Sequence, residues 1–424
     1  MRVLLISANR EDINMVTLPL GLAFVAAAVE RSGHEVRLVD LMRAENPRAQ
    51  VAAVVREFQP EAIGVSVRNI DDQNRESPRF LLEQAREVVE VCRAESESPV
   101  ILGGAGYSIF PQAALDYLAA DLGLRGEGEW ALPELLRRLA AGEDTGGLPG
   151  LYRPGTGPDR PRRLARDLKD LPWSDLARWL TSTPSGPELM MPIQTRRGCP
   201  LACSYCSTPA IEGRTLRKCP PEKAAETVRS YLEAGFSRLF FSDNTFNLPP
   251  SYAKGFCRAL ISRGLKPAWQ AIVHPGLLDQ ELTDLMARAG CVAASLGFES
   301  GSDQILARLN KRFTKAEVLE SRRFLADSGI RTMGFLLLGT PGETRATVFE
   351  SLEFIDRLEP EMLRLTVGVR IYPDTPLAVE AVRRGVIAPE DDLLQPRFYL
   401  EPGLEDWLPE TAKAWAAGRP NCLL

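Results

Sequence analysis

Cys199, Cys203 and Cys206 lie in the stretch RRGCPLACSYCSTP, residues 196–209, of a 424-residue chain with only eight cysteines. Thiolates are soft ligands for zinc and for iron–sulfur clusters, so clustering them this closely points to metal chemistry rather than packing. A CxxxCxxC loop is short enough to fold around one cluster and long enough to reach three irons of a four-iron cluster. The fourth iron is then left without a protein ligand. An open iron can chelate a substrate or cofactor, as a catalytic metal keeps one coordination position free. The alternative is a closed four-thiolate site completed by Cys219, although the usual zinc signature has two CxxC knuckles and only one is present. Cys92, Cys257 and Cys291 read as small core residues, and Cys422 has no role that the sequence indicates. One carboxylate also stands out. Glu299 ends the apolar run VAASLGFE (292–299), where a charge is costly unless it is paired or used.

The cysteines need a platform, and the surrounding pattern supplies one. From residue 189 six strand-like runs recur: LMMPIQT (189–195), RLFFSDN (238–244), AWQAIV (268–273), VAASLGFE, TMGFLLLG (332–339) and LRLTVGVRIYP (363–373). Each of the first five is followed by a helical stretch, such as PPEKAAETVRSYLEAG, with Pro at the first helical position and Gly at the stop. Six repeats, against eight in a closed barrel, predict a partial (β/α)6 barrel over 189–388 with its active site at the carboxyl ends of the strands. The cysteine loop follows the first strand directly.

Ahead of the barrel, RVLLIS (2–7), EVRLVD (35–40), AIGVSV (62–67), PVILGG (99–104) and DLGLRG (121–126) alternate with helical patterns. This predicts an α/β, doubly wound, flavodoxin-like (Rossmann-like) domain over 1–150, with ligands over the carboxyl ends of its strands. The loops there are SANRED (7–12), RNIDDQN (68–74), GGAGYS (103–108) and GEGEW (126–130). Their glycines let backbone approach a bulky or anionic ligand closely. Residues 151–188, rich in Pro, Gly and charge, read as a linker. Residues 389–424 form a C-terminal segment expected to cap the barrel mouth, with Trp407 and Trp415 lining a pocket or anchoring the tail.

Fifty-one Lys and Arg against 56 Asp and Glu give a net charge of −5. No basic block offers a footprint for nucleic acid, so the expected partners are small molecules or proteins. No run approaches eighteen apolar residues, and the apolar start is too short for a signal peptide, so no membrane span and a cytoplasmic location are expected. Disulfides are then not expected.

CxxxCxxC with Tyr205 before the last cysteine resembles the cluster motif of radical S-adenosylmethionine (radical SAM) enzymes. FFSDNTF (240–246), GFESGSD (297–303) and GFLLLGTPGET (334–344) are similar to that family's second-, fourth- and fifth-strand segments, and RIYPDTPL (370–377) ends the sixth strand. In the first domain PLGLAFVAAAVERSGHEVRLVD (19–40), ILGGAGYSIFPQ (101–112) and LRGEGEWALPELL (124–136) resemble the subgroup whose added domain binds cobalamin. The resemblance implies a 4Fe-4S cluster on Cys199, Cys203 and Cys206, with SAM on the open iron. It assigns Ser242 and Asp243 to the SAM amino group, Glu299 with Lys311 or Arg312 to ribose and carboxylate, and Tyr205 and Gly339 to the adenine region. Tyr372 is placed near the radical, and Arg370 and His274 near substrate or cofactor. Asn9, Arg68, Asn69, Gly103, Gly104, Gly126 and Glu127 lie on the loops assigned to cobalamin. No DxHxxG segment exists, and the only histidines are His34 and His274, which implies base-off cobalamin with no histidine on cobalt.

The implied activity is a methyltransferase that moves a SAM-derived methyl through methylcobalamin to an unactivated carbon of a small-molecule substrate. An electron donor such as flavodoxin or ferredoxin would serve it. A cyclase or ring-rearranging enzyme using cobalamin without methyl transfer, or a non-catalytic cobalamin or iron–sulfur sensor, are the alternatives. A methylthiotransferase fits less well, because Cys92 is the only cysteine in the first domain and the tail is short for a nucleic-acid-binding module.

Overall fold

The computed structural model describes residues 1–12, 16, 18–173, 176–180 and 189–424. The chain forms two compact units. One comprises Met1–Asp72, Arg79–Pro192 and Ala210–Gly213, and the other Gln73–Pro78, Ile193–Pro209 and Arg214–Leu424.

The first unit is a sheet of β1 (Arg2–Ser7), β2 (Glu35–Asp40), β3 (Ala62–Ser66), β4 (Val100–Gly103), β5 (Leu122–Leu124), β6 (Leu151–Arg153) and β7 (Gly157–Pro158), in the order β2-β1-β3-β4-β5-β6-β7. The first five are parallel, with Leu5 opposite both Leu38 and Gly64. A central parallel strand is covered on both faces, and Val3, Leu4, Leu5 and Ile6 are correspondingly buried. The order reverses between β1 and β3, so the loops after these strands flank the switch point where ligands of such sheets bind. Helix Pro47–Phe58 shows how local sequence sets the crossovers. Asn46 caps it by accepting from Ala49 N, Pro47 starts it, and Gln59 ends it with φ 48°.

The 151–188 stretch is more than the expected linker. β6 pairs antiparallel with β5, and β7 with β6. Helix Leu176–Leu180 buries Leu176, Trp179 and Leu180 and packs on helix Leu20–Arg31. Strands of two or three residues are too short for a period to show in sequence. Residues 174–175 and 181–188 of that stretch lie outside the described residues.

β8 (Met191–Ile193) crosses along the chain from the first unit into the second, which contains β9 (Arg196–Arg197), β10 (Arg217–Lys218), β11 (Arg238–Phe241), β12 (Ala268–Val273), β13 (Cys291–Glu299), β14 (Arg331–Leu338), β15 (Met362–Val367), β16 (Val369–Arg370), β17 (Phe398–Tyr399) and β18 (Cys422–Leu423). Its main sheet runs β8-β11-β12-β13-β14-β15-β18. Strands β11 to β15 are parallel neighbours in sequence order, as a partial (β/α) barrel requires. On β12, Trp269, Ala271 and Val273 are buried while Ala268, Gln270 and Ile272 stay half-exposed, and β13 alternates likewise. One face of the sheet is thus closed by packing and the other left open. Phe241, Phe246 and Trp269 fill the closed side, with ring centroids 4.9–5.1 Å apart.

Two features depart from expectation. The run 363–373 is broken at Gly368 (φ 85°), after which β16 pairs antiparallel with β17. Cys422 belongs to a seventh strand, opposite Leu363 of β15. The C-terminal segment therefore contributes to the sheet edge, while Glu401 N donates to Gly339 O at the end of β14.

Candidate active site

The cysteine loop leaves β8 through Thr195 and Arg196. Beside it, after β11, Ser242 N donates to Ile193 O at 2.9 Å and its hydroxyl to the same oxygen at 3.3 Å. The Asp243 carboxylate is fully buried. It accepts from Thr195 N (2.6 Å), Thr195 Oγ1 (2.6 Å) and Arg196 N (3.0 Å), and lies 3.2 Å from Arg196 Nε. Arg196, itself buried, continues to Leu248 O at 2.7 Å and lies over the Tyr252 ring at 4.6 Å. Burial raises the Asp243 carboxyl pKa, and Arg196 and the Thr195 donors work against that rise. Both oxygens of Asp243, the residue expected at the SAM amino group, are thus engaged by the start of the cysteine loop.

Within the loop, Gly198 and Ala202 have φ of 85° and 56°. Cys199, Cys203 and Cys206 are half-buried and not in disulfides. Asn310 Nδ2 donates to Ala202 O at 2.7 Å, Ser204 N to Leu309 O at 3.1 Å, and Leu377 N to Ser204 O at 2.9 Å. Past the last cysteine, Thr208 Oγ1 donates to Asn244 Oδ1 at 3.1 Å. Burial pushes the Cys203 thiol pKa up, with Lys311 pulling against it. Cys219 differs from these three in burial. It is fully buried, its Sγ contacts Pro220 O at 3.5 Å, and its carbonyl accepts from Tyr252 Oη at 2.6 Å. Three half-buried thiols on one loop fit a cluster held by three protein ligands.

Lys311 Nζ lies 3.2 Å from Glu299 Oε1, 3.3 Å from Gly297 O and 5.3 Å from the Tyr205 ring centroid. The structure brings these predicted residues together, but Lys311 and Glu299 satisfy one another first. Glu299 holds φ 66° at the end of β13, the kind of strained backbone that clusters at functional sites. After β14, Gly339 takes φ 87° and its N–H donates to Glu343, as does Thr340 N at 3.0 Å.

Glu343 is the penultimate residue of GTPGET, and its type and spacing alone assign it no role. It is buried, its Oε1 has no partner, and burial pushes its pKa up to about 7, with Glu401 adding to the rise. Glu401 accepts from Arg384 Nη1 (2.7 Å), Tyr399 Oη (2.8 Å) and Gly342 N (2.6 Å).

Tyr372 is half-exposed just after β16, its ring 5.2 Å from the Arg370 guanidinium. Arg370 itself is buried and donates to Ile371 O and Leu393 O, which makes it a strut rather than a substrate contact. His274 is buried edge-on to Phe313 at 5.0 Å, and its backbone exchanges hydrogen bonds with the Asn247 side chain. Burial pulls its pKa down to about 4, so the ring is neutral near pH 7. Arg312, which follows Lys311, is exposed.

In the first unit the loops after β1 and β3 meet, with Asn69 Nδ2 donating to Asn9 Oδ1 at 3.2 Å. Arg68 is solvent-accessible but sufficiently surrounded that desolvation lowers its pKa. A Cβ added at Gly103 would meet only Leu124 O at 3.9 Å, whereas one at Gly104 (φ 106°) would lie 2.4 Å from Val67 O. Gly126 (φ 105°) donates its N–H to Ser108 Oγ at 3.1 Å. Glu127 is buried and accepts from Ala165 N at 2.7 Å, so it anchors the stretch after β7. His34 precedes β2, at the opposite end of the sheet from these loops, with Nδ1 3.3 Å from the Met1 amine.

Two family descriptions match the chain: the B12 binding domain over residues 6–136 and the Radical SAM superfamily over 193–355. An uncharacterized methyltransferase of Pyrococcus horikoshii is 25% identical over 400 residues, covering 91% of this chain and 84% of that protein. Tryptophan 2-C-methyltransferase of Streptomyces laurentii is 23% identical, covering 87% and 73%. In fold, the radical SAM methyltransferase TsrM of Kitasatospora setae, solved with cobalamin and a [4Fe-4S] cluster, superposes with a TM-score of 0.86 at 24% identity, covering 100% of this chain and 90% of that one. With a B12-binding domain ahead of a radical SAM domain that carries its three-cysteine loop, the chain belongs to the cobalamin-dependent radical SAM enzymes.

Proposed function

We propose that the protein is a methyltransferase that moves a SAM-derived methyl group, by way of cobalamin, to a carbon atom of a small molecule. The observation that carries the reading is the cysteine loop, with three half-buried thiols in a CxxxCxxC spacing. The methyltransferase names of the similar proteins support the choice of reaction. When bound, the cluster and SAM would supply one-electron chemistry, and cobalamin a transferable methyl.

The chain's own residues bind and orient. Cys199, Cys203 and Cys206 would hold the cluster. The Ser242 hydroxyl and the Lys311–Glu299 pair would face SAM, with Tyr205 and the backbone at Gly339 beside its adenine. Arg68, the Asn9–Asn69 pair, Gly103 and the turns at Gly104 and Gly126 would receive cobalamin in its base-off form. Tyr372 would stand near the reacting atoms. A flavodoxin or ferredoxin would deliver electrons, in the cytoplasm. Among the described residues no helix is long and apolar enough to cross a membrane.

The test is anaerobic incubation of protein loaded with cluster and cobalamin, with reductant and methyl-deuterated SAM, first without substrate and then with tryptophan and other small molecules. The expected result is S-adenosylhomocysteine with the label retained on the cobalamin fraction, then label in a product carbon. Turnover of SAM with no S-adenosylhomocysteine and no retained label would overturn methyl transfer and favour a cyclase.

A further inference from the structure

The cysteine loop is held at both ends by two consecutive residues. At its entry, the buried Asp243 carboxylate takes the backbone N–H groups of Thr195 and Arg196 at 2.6 and 3.0 Å. At its exit, Asn244 Oδ1 takes the Thr208 hydroxyl at 3.1 Å. Cys199 follows Arg196 by three positions and Cys206 precedes Thr208 by two, so each hold lies within reach of a ligand.

We infer that Asp243 and Asn244 form a clamp that fixes the cysteine loop in its cluster-binding shape before the cluster arrives. Both are then positioning residues. The inference rests on the reading that this loop carries a cluster, and it adds to that reading how the loop is shaped. A loop gathering three thiolates must overcome their mutual repulsion and its own conformational freedom. Holding its two ends removes much of that freedom in advance. The entry hold is rigid because Asp243 grips backbone rather than a mobile side chain, and because Arg196, stacked over Tyr252, balances the carboxylate's charge. The exit hold includes a neutral hydrogen bond at a partly exposed position, so cutting it should leave the fold intact.

Asp243→Asn, Asn244→Ala, Thr208→Val and the double variant Asn244→Ala/Thr208→Val would each be reconstituted anaerobically. Three measurements follow: iron release to a ferrous chelator, the change SAM makes in the electron paramagnetic resonance of the reduced cluster, and melting of the cluster-free protein. The clamp predicts iron release faster by roughly 10-fold or more in Asn244→Ala and Thr208→Val, the usual scale for losing an outer-shell partner. The SAM-induced change should be blunted and cluster-free melting unaltered, with the double variant no worse than either single one. Asp243→Asn should act in the same direction more strongly; should it fail to fold, the two exit variants decide. Wild-type iron release and an unaltered SAM effect in both exit variants would overturn the clamp. A wild-type protein that takes up no cluster would instead overturn the proposed function, before any variant is compared.

Discussion

Replacing Gly103 and Gly104 by alanine, one at a time, separates binding from folding in the first unit. At Gly104 the backbone has φ 106° and ψ 173°, a conformation that costs an alanine about 1–3 kcal/mol. The new Cβ would also lie 2.4 Å from Val67 O and 2.9 Å from Val67 C, and overpacking of that kind adds about 1–3 kcal/mol. Together these remove about 2–6 kcal/mol, a melting-temperature loss of roughly 5–20 °C for a unit of this size. At Gly103 φ is not left-handed, and the nearest atom to the new methyl is Leu124 O at 3.9 Å. Alanine there should leave melting unchanged or raise stability by up to about 1 kcal/mol, through the unfolded chain. Its methyl would meet the bound ligand instead, and loss of about 1.4 kcal/mol of binding corresponds to tenfold weaker affinity. Calorimetry of the cofactor-free variants and titration with hydroxocobalamin, followed by visible absorption, measure both quantities. Gly103→Ala that melts and binds cobalamin as wild type would refute the placement of this loop at the cofactor. Gly104→Ala that melts as wild type would refute the strain argument.

Three further outcomes are expected. Alanine at Cys199, Cys203 or Cys206 should abolish cluster uptake and SAM cleavage, whereas Cys219→Ala should retain the iron and sulfide of wild type, as measured by chemical analysis. His34→Ala should alter neither the affinity nor the spectrum of bound cobalamin, because that ring lies at the far end of the sheet. Glu343, raised from 4.5 to about 7 by burial, binds a proton more tightly folded than unfolded. Its contribution therefore falls as pH rises from about 4.5 to 7, by about 3 kcal/mol. Glu343→Gln keeps an acceptor for Gly339 and Thr340, and should gain stability relative to wild type across that window in denaturant titrations at successive pH values. A wild-type-minus-variant difference that does not change with pH would contradict the shift.

Much of this architecture is legible because it repeats. Five β/α alternations in each half carry period-2 and period-3.6 signals long enough to read, and CxxxCxxC is a local pattern whose residues must be neighbours to work. What escaped is short or depends on direction. β6, β7 and β18 have two or three residues each, below the length at which a period exists. The sequence does not carry the way the side chains of Asp243 and Glu127 turn, which is decided by backbone donors at Thr195, Arg196 and Ala165. Gly103 and Gly104 look alike in sequence, and only the position of Val67 tells them apart. Glu343 stood within a quoted segment, yet its burial becomes visible only once the chain from Tyr399 to Glu401 comes back to the end of β14.

Neither compact unit is an unbroken stretch of chain: Gln73–Pro78 belongs with the second and Ala210–Gly213 with the first. This bears on how such proteins can be inherited and rebuilt. A single crossover between the two halves would hand each of them one segment from a foreign parent. Chimaeras made to swap substrate preference should therefore carry both small segments with the unit to which each belongs.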